Sequence, residues 1–202
     1  MEKFIKKRKH LRVAICSREP PDSYNWLLRL LERADFKKKV NEINPVHISN
    51  DFSRFQKDIS GYTFAVLYHS KRRGRINVTD VTDSLYDKEL DFMHQSLGKE
   101  RVIVVIDDLD DSSESEKNRI LQSQKSIGQL ACDLFLFSTN DKDSISSANK
   151  TPDVDTKIDS LYQTVREAKK VINGPNLRAG KNKMKKNKRP SVSHRGILSC
   201  LR

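Results

Sequence analysis

The sequence predicts an α/β fold: a three-layer α/β/α sandwich on a five-stranded, mostly parallel sheet of order 2-1-3-4-5. Three observations lead there. The runs Leu11–Ser17, Tyr62–Ser70 and Arg101–Asp107 are short, nearly unbroken and rich in β-branched or aromatic residues. Strands buried on both faces read as continuous apolar runs of this kind. Each run is followed by a segment of helical periodicity, and strand–helix alternation implies parallel pairing with right-handed crossovers.

The elements follow in chain order. After the first strand, Glu19-Pro-Pro-Asp22 reads as a turn, and Asp22 or Ser23 is placed to cap a helix. Trp26, Leu27, Leu30, Leu31 and Ala34 give that helix one apolar face. Val40 to Ser49 contains Pro45, so a short edge strand is expected around Val46–Ile48. Asp51 to Ile59 predicts a short helix with Phe52, Phe55 and Ile59 inward. The strand ending at Ser70 leads into a polar, basic loop, 71–82. Thr82 or Asp83 is then expected to cap a helix carrying Tyr86, Leu90, Met93 and Leu97, with Gly98 as its stop. Beyond Asp107, Ser112 or Ser113 should cap a helix with Ile120, Leu121, Ile127 and Leu130 on its apolar face. Cys132–Phe137 is the last strand, and 138–153 reads as a polar loop. Val154, Ile158, Leu161, Tyr162, Val165 and Ile172 predict a final amphipathic helix that Gly174-Pro175 ends.

Charge divides the chain into three parts. Residues 1–10 form a basic N-terminal arm, 11–174 the α/β domain, and 175–202 a basic tail that reads as disordered. The tail holds nine Lys and Arg and no acid, so the two ends account for the whole formal net charge of +12 and the domain between them is close to neutral. Cys16, Cys132 and Cys200 have no metal-ligand spacing and read as free thiols of a reducing compartment. No stretch has the length of a leader or a membrane span. These features point to a soluble protein with no membrane contact, cytoplasmic or nuclear. Lys181, Lys183, Lys185, Lys186, Lys188 and Arg189 fit a nuclear-import signal or a polyanion-binding segment that would meet nucleic acid.

In a parallel sheet, ligands bind beyond the carboxyl ends of the strands. Here those ends carry Lys71, Arg72, Arg73 and Arg75 after one strand and Asp107, Asp108, Asp110 and Asp111 after the next. Four cations in five residues repel one another and need solvent or an anionic partner. The loop is therefore the candidate ligand- or partner-binding segment. The acidic run has the look of a strand-end Mg²⁺ site, but with no phosphate-binding loop nearby a solvated turn ahead of a helix is the preferred reading, and no metal is assigned. Gly174 to Lys181 lacks the glycine spacing and the Ser or Thr of a phosphate-binding loop. Of the five histidines, only His69, beside the basic loop, stands near a candidate site.

Three segments resemble the Toll/interleukin-receptor (TIR) family. Val13-Ala-Ile-Cys-Ser17, followed by a short acidic turn and Ser23-Tyr-Asn-Trp26-Leu-Leu, resembles that family's first strand and helix. Phe64 to Ser70 resembles its third strand. Ser84-Leu-Tyr86-Asp-Lys-Glu89-Leu90 resembles its Ser-x-Trp-Cys-x-x-Glu-Leu helix, with Tyr86 for tryptophan and Asp87 for cysteine. The loop after the second strand lacks the family's Arg-Asp and Pro-Gly pair, and the insert 71–82 is longer than usual. The order and spacing agree over about residues 11–137. A generic flavodoxin-like domain is the competing reading.

The resemblance implies a non-catalytic signalling adaptor, of the kind used in innate immunity, that binds protein partners or itself and needs no cofactor. It adds Ser84 to the partner-binding residues. It also implies an alternative, an NAD glycohydrolase with NAD as cosubstrate and Glu89 as the catalytic carboxylate. Such a carboxylate would orient the ribose and stabilise positive charge as nicotinamide leaves. A third reading is a nucleic-acid-associated protein acting through its tails.

Overall fold

The computed structural model describes residues 11–147 and 151–173. Five parallel strands form one sheet in the order β2-β1-β3-β4-β5, as the sequence predicts. They are β1 (Leu11–Ser17), β2 (Val40–His47), β3 (Phe64–Ser70), β4 (Val102–Leu109) and β5 (Asp133–Ser138). Every residue of β3 is buried. Strand side chains alternate between faces, and the core divides accordingly.

One layer joins Val13, Ile15, Val66, Tyr68, Ile103 and Val105 to the helices α1 (Asn25–Leu31), α2 (Ala34–Lys37), α7 (Thr139–Ser146) and α8 (Pro152–Asn173). The other joins Ala14, Ala65, Leu67, Val104 and Ile106 to α3 (Phe52–Asp58), α4 (Asp87–Leu97), α5 (Glu114–Ser123) and α6 (Lys125–Leu130). Among the described residues no helix is long and apolar enough to cross a membrane.

Several elements depart from the sequence reading. Pro21–Tyr24 form a 3₁₀ turn, so α1 starts at Asn25 with no side-chain cap from Asp22 or Ser23. Strand β2 spans eight residues. Pro45 is tolerated because β2 is an edge strand and the missing N–H faces outward. Neither Thr82 nor Asp83 caps α4, which begins at Asp87. The helix expected across 114–130 is two helices, broken at Gln124. The expected loop 138–153 contains α7, which a Ser138–Asp141 capping box starts. Asp51 and Ser113 do cap α3 and α5, accepting hydrogen bonds from the Arg54 and Glu116 amides. Gly98, at φ 86°, ends α4 in a conformation that suits glycine. The arm 1–10, Gly174 and the tail 175–202 lie outside the described residues.

Leu67 is fully buried in the centre of the sheet. Leu67→Ala should cost about 3 kcal/mol, the middle of the range for a deleted core leucine, as read by urea denaturation.

Candidate functional site

The carboxyl ends of β1, β3 and β4 meet at a polar rim. Asp107 is fully buried there, opposite Ser70 in the sheet register. Its Oδ2 accepts hydrogen bonds from Trp26 Nε1 (2.8 Å), Tyr68 Oη (2.6 Å) and Lys142 Nζ (3.1 Å). Its Oδ1 is buried without a partner. Burial raises the Asp107 carboxyl above its ordinary value, against the opposing pull of the Tyr68 hydrogen bond and the Lys142 charge.

Strand alternation would send Asp107 and Asp108 to opposite faces. Asp108 escapes it with φ 57°, at the point where the β4–β5 register shifts. Its carboxylate thereby reaches Lys142, Ser70 Oγ (2.6 Å) and Arg72 Nε (3.2 Å). One lysine on α7 thus serves two neighbouring aspartates. Although burial opposes it, the Lys142 and Ser70 hydrogen bonds and the Lys142 and Arg72 charges leave the Asp108 carboxyl below its usual value.

The basic residues stand on this rim, and three of the four already face a carboxylate. Lys71 contacts Asp110, Arg72 contacts Asp108, and Arg73 contacts Glu19 at 3.1 Å. The mutual repulsion expected from the sequence is therefore relieved within the fold. Arg72 is still 75% exposed in its side chain. Arg75 is exposed and has no ion pair among the described residues; its carbonyl lies 2.7 Å from His69 Nε2. Gly74, at φ 111°, closes the turn by donating its amide to Lys71.

After the turn the chain is tied down by Gln124, a residue with no sequence signal for such a role. Its Oε1 accepts from the amides of Val78 and Thr79, each at 2.9 Å, and its Nε2 donates to the Ile76 carbonyl at 2.8 Å. Gln124 is buried because the α5–α6 break turns it inward. Asp80, at φ 62°, accepts from the Ser126 amide at 2.6 Å and hydroxyl at 2.5 Å. Ser84 contacts Asp87, whose other oxygen accepts from the Asp80 amide at 3.0 Å. The stretch 76–87 is thus a docked segment, where the sequence suggested a polar loop over 71–82 and then a helix.

Glu89 is on the first turn of α4 and is 6% exposed. Its Oε1 meets Arg18 Nη2 at 3.2 Å. Arg18 also donates to the Leu85 carbonyl (3.2 Å) and Asn50 Oδ1 (3.1 Å), and lies over the Tyr86 ring. The pair joins the end of β1 to the start of α4. The structure brings Lys71, Arg72, Arg73 and Arg75 together on the rim, holds Ser84 in the docked segment and places Glu89 just after it on α4. A cavity on the β4–β5 side is lined by Asp110, Asp111, Asp141 and Lys157. Among the described residues no group of three or more His, Cys, Asp or Glu could hold a metal ion. Cys16 and Cys132 are free thiols. Lys181, Lys183, Lys185, Lys186, Lys188 and Arg189 lie outside the described residues.

Gln124→Ala leaves two buried amides and a carbonyl without partners. It should cost about 3 kcal/mol in denaturant unfolding and speed amide exchange at Val78 and Thr79. The Asp107 carboxyl binds its proton more tightly in the folded than in the unfolded chain, so its contribution to stability falls as pH rises from the ordinary aspartate range. Asp107→Asn should therefore gain stability relative to the parent between pH 3 and pH 7, measured by thermal melting at each pH.

Comparison with protein-family models, with curated proteins and with solved structures gives no significant match.

Proposed function

We propose that this chain is a non-catalytic interaction module of TIR-like architecture, with residues 71–84 as its partner-binding surface. The observation that carries the reading is the engagement of Glu89. A carboxylate that cleaves a glycosidic bond must face the substrate as charge develops. Glu89 is nearly buried and is held by Arg18, which also fastens Leu85 and Asn50. That arrangement suits a residue that positions the surface. The surface itself is anchored from below by Gln124 and exposes Arg72, Arg73 and Arg75. Cations on a pre-ordered segment lose little entropy on docking.

The same rim carries Asp110, Asp111 and Glu114, all exposed. Opposite charges side by side suit a second copy of the same domain, so self-association is the interaction proposed. No cofactor enters it, and NAD belongs to the alternative enzyme reading.

Sedimentation velocity of the full chain should show concentration-dependent association that Arg72→Glu with Arg73→Glu reduces at least tenfold. Arg72 and Arg73 face Asp108 and Glu19, so that variant should also melt below the parent. Arg75→Glu breaks no ion pair among the described residues and should weaken association with stability unchanged to within about ±0.5 kcal/mol. The parallel assay is NAD turnover. Cleavage by the parent that Glu89→Ala abolishes would overturn the adaptor reading.

A further inference from the structure

The sheet has two edges, β2 and β5, and they are finished differently. An edge strand presents unpaired N–H and C=O groups that another strand can take up. The β5 edge is flanked by charge from both helical layers. Lys117 pairs with Asp133 at 2.8 Å and lies over the Phe135 ring, and Lys157 lies over the Phe137 ring. The β2 edge, Val40–His47, has no lysine or arginine among its own residues. Its one guard is Pro45, which has no N–H to offer.

The direction of each backbone group along β2 follows from one bond. The Ile48 amide donates to the Ser17 carbonyl of β1 at 2.7 Å. Successive residues of a strand turn their N–H and C=O to opposite sides. Val46, Asn44 and Glu42 therefore bond toward β1, and Ile43, Pro45 and His47 face outward. The β1–β2 register shifts before Glu42 and runs without a break from there to His47. The connection from α2 into this strand is held from behind: the Leu11 amide and Lys169 Nζ donate to the carbonyls of Lys39 and Lys38. Beside the open edge, Leu31, Val40 and the half-buried Ile43 line a hollow. Glu42 and Asn44 share the other face, where Asn44 Nδ2 and Arg12 Nε donate to the Glu42 carboxylate, each at 2.7 Å.

We infer that β2 is an interface between two copies of this chain, separate from the 71–84 surface, with the two strands paired antiparallel about a two-fold axis at Ile43. The occupant is a second copy because the edge complements itself. Two-fold pairing of one edge brings the same residues together from both sides. An axis at Glu42 would set two carboxylates face to face, which is unfavourable. An axis at Asn44, Pro45 or Val46 gives the proline a central hydrogen-bonding position, and one at His47 runs off the end of β2. The axis at Ile43 avoids each of these. Ile43 exchanges both of its backbone hydrogen bonds with its counterpart. Glu42 stands opposite Asn44 of the other copy, twice, so each carboxylate faces an amide donor. Pro45 falls opposite Asn41, at the margin of the pairing. The two Ile43 side chains lie side by side across the axis, each beside its hollow, and lose apolar exposure.

A pairing of so few residues is weak, so covalent trapping is the measurement that reads it. The test uses the full chain with Cys132→Ser and Cys200→Ser; Cys16 is fully buried and stays. Ile43→Cys is placed in that background and oxidised with copper–phenanthroline, and the disulfide-linked dimer is followed on non-reducing gels. Hydrogen-bonded antiparallel partners have Cα atoms about 5.5 Å apart, within disulfide reach. Pro45→Cys is the control, because in this register its two copies are offset by about 14 Å along the strands. Ile43→Cys should cross-link at least tenfold faster than Pro45→Cys. Adding Arg72→Glu with Arg73→Glu should leave that rate unchanged, which separates this edge from the 71–84 surface. Equal rates for the two cysteine variants, no dimer from Ile43→Cys, or loss of the cross-link in the arginine variant would each overturn the inference. A second measurement needs no substitution. In the parent, the Ile43 amide should exchange with deuterium more slowly as protein concentration rises, and exchange independent of concentration would also overturn it.

Discussion

A carboxylate without access to water governs the rim of this molecule. Asp107 lies where β4 ends, and a buried aspartate persists only if donors surround it. Trp26 comes from α1, Tyr68 from β3 and Lys142 from α7, so one oxygen ties three separate parts of the chain together. The unpartnered second oxygen keeps the site costly, and a network that is partly satisfied has little tolerance for displacement. Asp108 extends the network outward through Ser70 and Arg72. The basic turn is thus coupled to the buried carboxylates through a continuous chain of polar contacts. Its conformation follows from the core beneath it.

The same logic separates the two poles. At the carboxyl ends of the strands, cations and carboxylates are interleaved and largely paired. At the amino ends, Lys37 and Lys38 stand without carboxylate partners, near the points where the chain enters and leaves the described fold. Exposed ion pairs contribute little stability, so the pairing at the rim is better read as geometry than as energy. It fixes where each charge points.

Much of this architecture was legible in the residues. The apolar runs around Val13, Val66 and Val104 placed three strands, and their continuity placed them inside a parallel sheet covered on both faces. Asp51 and Ser113 identified their helix starts because a cap works through a local hydrogen bond. The sequence reading failed where a partner is distant along the chain. Thr82 and Asp83 have cap chemistry, but the segment around them is held by Gln124, more than forty residues away. The capping box at Ser138 and Asp141 was present in the sequence, masked by the polar composition of the helix it starts.

The sequence by itself determined the alternation of strands and helices, the order of the sheet and the concentration of charge in the terminal segments. Periodicity and composition are local, and those properties depend on little else. Tertiary structure decided what the charged residues do. That Lys71, Arg72 and Arg73 find carboxylates, that Glu89 is held by Arg18, and that Asp107 and Asp108 share one lysine all require side chains from different elements to meet. The turn of Asp108 to positive φ exists only because the β4–β5 ladder shifts register there. Leu11 and Lys169 likewise meet at one connection only because β1 and the end of α8 reach the same end of the sheet. Charge can be counted along a chain, but its partners are set by packing.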